Sequence, residues 1–295
     1  MAREATVHDL VRDLERRRKE AAGVAVGTEI LVNTTTSNSQ IYPEITALSN
    51  GGFVVTWADR SGADGDTGWG IRARIYSVAT DTPAMTTNQS YNFGGSLAGT
   101  TFTADAGNDT LYGSWFNDTL RGAEGHDSMV AAGGNDDING NQGNDTLHGN
   151  DGDDWVVGGK DNDLLFGDTG NDIVYGNLGN DTALGGDGTD TVRGGQGDDS
   201  VSGGAGDDWL WGDRGNDTIS GGTGADSFHT FTGVGLDRIT DFNRADGDRL
   251  ILDGSPAYTV SQVGADTVVD LGHGDQVVLM GVTFTSLSAG WIVGG

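Results

Sequence analysis

Fourteen aspartates stand at a strict interval of nine residues: Asp109, Asp118, Asp127, Asp136, Asp145, Asp154, Asp163, Asp172, Asp181, Asp190, Asp199, Asp208, Asp217 and Asp226. Glycine opens twelve of the fourteen nine-residue units and holds the fourth place in twelve. Each Asp therefore closes a six-residue turn whose glycines can take positive φ and aim main-chain carbonyls at a small space. The Asp adds a carboxylate oxygen to that space. Hard oxygen donors at flexible geometry suit calcium better than magnesium. Zinc wants His or Cys, and the turns hold neither apart from His126. These fourteen Asp are the candidate metal ligands, with several Ca2+ ions as the candidate cofactor.

The elements that must hold these turns follow from the next three residues of each unit. Two places after each Asp stands an apolar residue, as in Leu147, Val156, Leu165 and Val174. In a short strand the middle side chain points inward and its two neighbours outward. Two units then make one coil of eighteen residues with a strand on each side, and fourteen units make seven coils. At strand spacing the stack is roughly 30 Å long. Such a core is thin, while ordering the backbone costs ~1–2 kcal/mol per residue. A bound dication offsets that entropy and also the repulsion among aligned carboxylates. Without it the block is expected to be disordered, so that metal binding is folding free energy.

The nonapeptide, seen in "GGQGDDSVS" (Gly194–Ser202) and "GGAGDDWLW" (Gly203–Trp211), resembles the repeat of RTX (repeats-in-toxin) proteins. That resemblance implies a parallel β-roll with calcium between turns two repeats apart, held by Asp side chains and backbone carbonyls. Fourteen units would provide up to about twelve sites. Phe116 and Asp161 stand where the pattern has glycine, and Ala104–Asp109 opens without one, so departures are expected there. The stretch Asp237–Gly254 resembles the D-x-I-x-D-F-x(4–5)-D-x-L-x-L segment that follows RTX repeats, and Gly264–Gly295 resembles the usual RTX C-terminus. The family then implies a cap carrying an uncleaved signal for type I secretion machinery, and an extracellular or cell-surface location.

The chain of 295 residues has a net charge of −28, and the block 104–229 contributes −21 of it. Clustered Lys and Arg are missing there, which excludes nucleic acid as a partner. Cysteine is absent and no run of eighteen apolar residues occurs, so neither disulfides nor a transmembrane helix is expected. The first 23 residues lack the apolar stretch of a secretory signal peptide, and export by a route reading another signal is expected. Val7, Leu10, Val11 and Leu14 share one face of a short amphipathic helix over 1–23. Residues 24–103 read as a small antiparallel β module and linker. Strands are expected at Glu29–Asn33, Ile41–Leu48, Phe53–Trp57 and Ile71–Ser77, with a turn at Asn50-Gly51-Gly52, and the linker covers 81–103. This module resembles a blade-like repeat of large secreted bacterial proteins. Residues 230–295 form a C-terminal β cap with strands at Arg249–Leu252, Thr267–Leu271 and Gln276–Leu279.

The expected fold is thus all-β: a parallel β-roll over 104–229, a C-terminal β cap, a small N-terminal antiparallel β module and a short N-terminal helix. Neither H-E-x-x-H nor G-x-S-x-G occurs, and no catalytic or organic-cofactor residues are assigned. The reading is a secreted calcium-binding protein with a structural, adhesive or interaction role and no enzymatic activity. The alternative is an accessory or truncated module of a secreted hydrolase or carbohydrate-active enzyme. On alternate coils the outward pairs Trp155/Val157, Ile173/Tyr175, Thr191/Arg193 and Trp209/Trp211 should lie on adjacent rungs. This aromatic stripe makes an extracellular glycan or cell surface the candidate partner.

Overall fold

The computed structural model describes residues 88–96, 98–287 and 289–294, together with the backbone of three strands upstream. The chain divides into two units, Met1–Thr82 and Pro83–Gly295. In the first, Gln40–Ala47, Phe53–Asp59 and Gly70–Tyr76 form an antiparallel sheet in sequence order. Its register shifts between Ile41 and Glu44, beside Pro43, a residue that cannot donate to a ladder. The expected helix over 1–23, the strand at Glu29–Asn33 and the turn at Asn50-Gly51-Gly52 lie outside the described residues.

In the second unit the chain winds into a parallel β-solenoid. Successive strands alternate between two sheets, and each pairs with the strand eighteen residues away, as in Leu147↔Leu165↔Ala183 and Val156↔Val174↔Val192. The predicted apolar beat is the core. Leu111, Leu120, Met129, Ile138, Leu147 and their successors to Phe228 are buried between the sheets. Strands are longer than the three residues expected: Trp155–Lys160 spans six and alternates outward and inward along its length. The ladder continues through the first three residues of the unit, as with Gly159 facing Asn177 and Lys160 facing Leu178, so only three residues remain to turn the chain.

The solenoid also outruns the nonapeptides, reaching about nine coils rather than seven. Ser90–Asn92 and Thr101–Thr103, within the segment read as linker, pair in parallel with Thr110–Tyr112 and with Thr119–Glu124. These two early strands carry no repeat, only aromatic residues: Tyr91, Phe93 and Phe102 pack with ring centroids 4.4–5.1 Å apart over the open end of the core. At the other end Leu236–Ile239 and Arg249–Leu252 extend the two sheets. Thr259–Val263, Asp266–Gly272 and Asp275–Leu279 then fold back as an antiparallel cap. Phe228, Phe242 and Trp291 close this end, with centroids 5.8 and 6.2 Å apart. A one-residue-wide core needs such plugs, since water at either end would reach the first rung.

Candidate metal centres along the turns

Each turn places its Asp by the same local logic. In Gly176–Asp181 the strand runs on through Gly176 and Asn177, the latter at φ +80, to Leu178, and the chain then bends through Gly179 at φ +140. A side chain at Gly179 would put its Cβ 1.8 Å from the carbonyl oxygen of Asp161, one coil back, so only glycine fits. The bend turns the Asp181 carboxylate back over the turn, where it is 2% exposed.

The fourteen predicted Asp are brought together as two rows, one along each edge of the solenoid, and all are buried. Within a row the backbone N–H of each Asp donates to Oδ1 of the Asp eighteen residues later. Asp145 reaches Asp163 at 2.8 Å, Asp163 reaches Asp181 at 2.8 Å and Asp181 reaches Asp199 at 2.7 Å. The other row runs through Asp136, Asp154, Asp172 and Asp190 in the same way. One oxygen of each carboxylate is thereby spent on the ladder.

The second oxygen is not. Oδ2 of Asp109, Asp127, Asp136, Asp145, Asp154, Asp163, Asp172, Asp181, Asp190, Asp199, Asp208, Asp217 and Asp226 is buried without a hydrogen-bond partner. A buried, unpaired carboxylate oxygen is costly unless a cation meets it. The space beside it fits one. A Cβ placed on Gly176 would lie 2.3 Å from Asp181 Oδ2 and 2.4 Å from the carbonyl oxygen of Gly194 in the next coil. Gly167 and Gly185 sit in equivalent cradles, beside Asp172 and Asp190. The glycine that opens most units thus keeps a side chain away from these carboxylate and carbonyl oxygens, the donor type of calcium, while Ala104 and Ala131 hold that place before Asp109 and Asp136. Among the described residues no three acidic or imidazole side chains converge on one point, so main-chain carbonyls must complete any such shell.

The three irregular turns behave differently from one another. Asp161 takes φ +72, a left-handed conformation that Asp tolerates, and its carbonyl still faces Gly179. Asp109 keeps an unpaired Oδ2 although its turn opens with Ala104. Only the turn with Phe116 changes the chemistry. There the N–H of Ser114 donates to Asp118 Oδ2 at 2.6 Å and the Ser114 hydroxyl to Oδ1 at 3.1 Å, while the N–H of Thr100 also reaches Oδ1. Asp118 is therefore already satisfied by protein donors.

A second periodic place in the sequence supports the rows, and the fold adds two further Asp to them. Asn or Asp holds eleven of the fourteen places just before the ladder Asp. Their Oδ1 atoms accept the N–H of the residue one coil on, as Asn162 does from Asn180 at 2.7 Å. His126 serves the same place through Nδ1, which accepts the N–H of Asn144 at 2.8 Å. Beyond the repeats, Asp237 and Asp248 continue both Asp rows. Their Oδ1 atoms accept the N–H of Asp217 and Asp226 at 3.2 and 3.1 Å. Their offsets are 20 and 22 residues, which breaks the period and hides them from it.

Burial pushes Asp136, Asp145, Asp172, Asp199 and Asp208 up to about 7 and Asp163 to about 8, and neighbouring row carboxylates add to the rise. An acid raised in the folded state favours that state below its ordinary value of 3.8 and loses the advantage as pH climbs through the raised value. Metal-stripped protein is accordingly expected to gain β signal in circular dichroism on going from pH 8 to pH 4. Identical spectra at the two values would refute the shared burial of these carboxylates.

Fold and turns together define a parallel β-solenoid whose turns are lined by calcium-type oxygen donors. Residues 95–233 match the model of the RTX calcium-binding nonapeptide repeat, in six segments from 95–129 to 211–233. No curated protein matches the chain. Among solved structures it is similar to the extracellular lipase LipA of Serratia marcescens, at 20% identity and a TM-score of 0.36 over 63% of this chain. The chain spans 38% of the length of that lipase. It is also similar to a subunit of the mannuronan C5-epimerase of Azotobacter vinelandii, at 31% identity and a TM-score of 0.26, covering 44% of this chain and 78% of the other.

Proposed function

We propose that this chain is a secreted protein whose roll folds when calcium fills the turns outside the cell, and that its role there is structural and interactive rather than catalytic. The observation that carries the reading is the double row of buried, unpaired Oδ2 atoms, eleven of them beside the glycine that opens the unit and six of those faced as well by a carbonyl of the next coil. The ligands we assign are the row Asp from Asp109 to Asp226, with Asp118 the weakest member, and carbonyls of turns one coil apart. Asp237 and Asp248 extend the assignment by one rung in each row. Calcium supplies the positive charge that these oxygens lack.

The same physics supports export by type I machinery. At low cytosolic calcium the acidic repeats stay unfolded and can be threaded; at millimolar external calcium they fold, and refolding outside prevents return. We assign the export signal to residues 230–295 by its resemblance to the RTX C-terminus. The test is a fusion of residues 230–295 behind a reporter that the machinery does not otherwise carry, in cells expressing that machinery. The reporter is expected in the medium. Its full retention in cells, with intact fusion present, would overturn the signal assignment while leaving calcium-driven folding standing.

A further inference from the structure

One outer face of the roll carries a built site away from the metal turns. On the sheet that holds Trp155–Lys160, Ile173–Leu178, Thr191–Gln196 and Trp209–Arg214, adjacent rungs align Tyr175, Arg193, Trp211 and His229 in one column. Trp211 is clamped. Its ring stacks on His229 with centroids 3.9 Å apart, Arg193 lies 5.2 Å from its other neighbouring side, and its Nε1–H donates to Asp253 at 3.1 Å. Asp253 also bonds His229 Nδ1 at 3.1 Å. Arg193 is fixed in turn by a two-pronged bond to Asp213, at 2.8 and 2.6 Å. Trp209 leans on this stack, 5.9 Å from His229 and 6.5 Å from Trp211, yet remains 53% exposed.

Beside the stack the face is hollow. Gly195 stands in the column between Asn177 and Asp213 and lines a groove of about 390 Å³. Tyr175 and Phe231 line it together with Arg193, Asp213, Gln196 and Arg214. The strands bearing Tyr175 and leading into Phe231 are three rungs apart, about 14 Å at ordinary strand spacing. The half-buried rings of Tyr175 and Phe231 in a groove of paired donors and acceptors, with the exposed Trp209 on the adjoining stack, suit a ring that is apolar on its face and hydroxylated at its rim.

We infer that this groove, together with the exposed Trp209 on the adjoining stack, binds a neutral glycan, its sugar rings stacking on Tyr175 in the groove and on Trp209 beyond it, and its hydroxyls bonding the Arg193–Asp213 fork and the amides of Asn177 and Gln196. Charge selects the neutral class. Arg193 is cancelled by Asp213, so Arg214 is the one unpaired charge among the groove side chains named here, and the roll around it is acidic enough to repel a polyanion. The inference rests on the roll being folded by calcium, and it names the ligand class of its interaction role.

The test uses the full chain in calcium on an array of neutral and acidic oligosaccharides, with circular dichroism and size-exclusion light scattering on the same samples. Binding to a neutral glycan is expected, weakened at least about tenfold by Trp209→Ala and by Tyr175→Ala. It should be unchanged by Trp115→Ala, which removes a tryptophan 70% exposed elsewhere on the roll. A folded protein that binds no neutral glycan overturns the inference but not calcium-driven folding, whereas an unfolded spectrum in calcium overturns both. Retention of acidic glycans alone, or a dimer that Trp209→Ala disperses, would also overturn it, in favour of an anionic ligand or a second copy.

Discussion

Stripped of calcium at neutral pH, the solenoid is expected to lose its far-UV β signal and become an expanded acidic coil, and calcium but not magnesium is expected to restore the signal cooperatively. The physical case rests on three quantities. The repeat block carries −21 of charge, aligned by the fold into two rows. Thirteen carboxylate oxygens in those rows are buried without a partner. Against this stands one core side chain per nine residues, each worth ~1.5–3 kcal/mol on burial, while nine residues of ordered backbone cost on the order of 10 kcal/mol. Backbone ladders and the aromatic plugs narrow that gap, and a cation at each cradle closes it. Magnesium is a poor substitute because it holds its water and demands short octahedral bonds, whereas the cradles offer dispersed carbonyls. A titration from chelated protein, followed by circular dichroism, decides the matter. A spectrum indifferent to calcium would remove the metal centres from this account altogether.

The second large effect separates turns that look alike in sequence. Gly176→Ala adds one methyl group, on a strand where alanine is otherwise innocuous. Here that methyl would sit 2.3 Å from Asp181 Oδ2 and 2.4 Å from the Gly194 carbonyl, inside the cradle itself. Asp181→Ala removes the carboxylate from the same cradle and leaves the buried N–H of Asp163 without its acceptor. Each change is expected to raise the calcium concentration at the folding midpoint by a factor on the order of ten, about 1.4 kcal/mol. Asp118→Ala should act in another way. Its Oδ2 is already bonded to the N–H of Ser114, so the loss is of hydrogen bonds near the start of the roll. It should lower thermal stability in saturating calcium while moving the calcium midpoint little. Equal midpoint shifts for Asp118→Ala and Asp181→Ala would show that the unpaired oxygens do not mark the metal sites.

Much of this molecule is legible along the chain because a solenoid is close to one-dimensional: what each unit does depends mainly on itself and on the unit one coil away. The nine-residue period of Asp and the apolar beat behind it therefore determined the parallel roll, the inward side chains, the eighteen-residue register and the candidate metal ligands. The cap strands at Arg249–Leu252 and near Thr267–Leu271 were readable as well, from simple alternation. Tertiary structure alone decided where the period ends and what happens there. Tyr91 and Phe102 joined the ladders without any repeat, because an open core end rewards aromatic burial rather than sequence rhythm. Asp237 and Asp248 continued the rows at broken intervals, because the loops before them bulge by two and four residues and still return to the rung. Asp161 kept its turn while the turn bearing Phe116 lost its free oxygen, a difference of φ and of one Ser114 N–H. The column of Tyr175, Arg193 and Trp211 followed from the eighteen-residue register, whereas the groove over Gly195 needed the fold, since Phe231 joins its wall from beyond the last repeat.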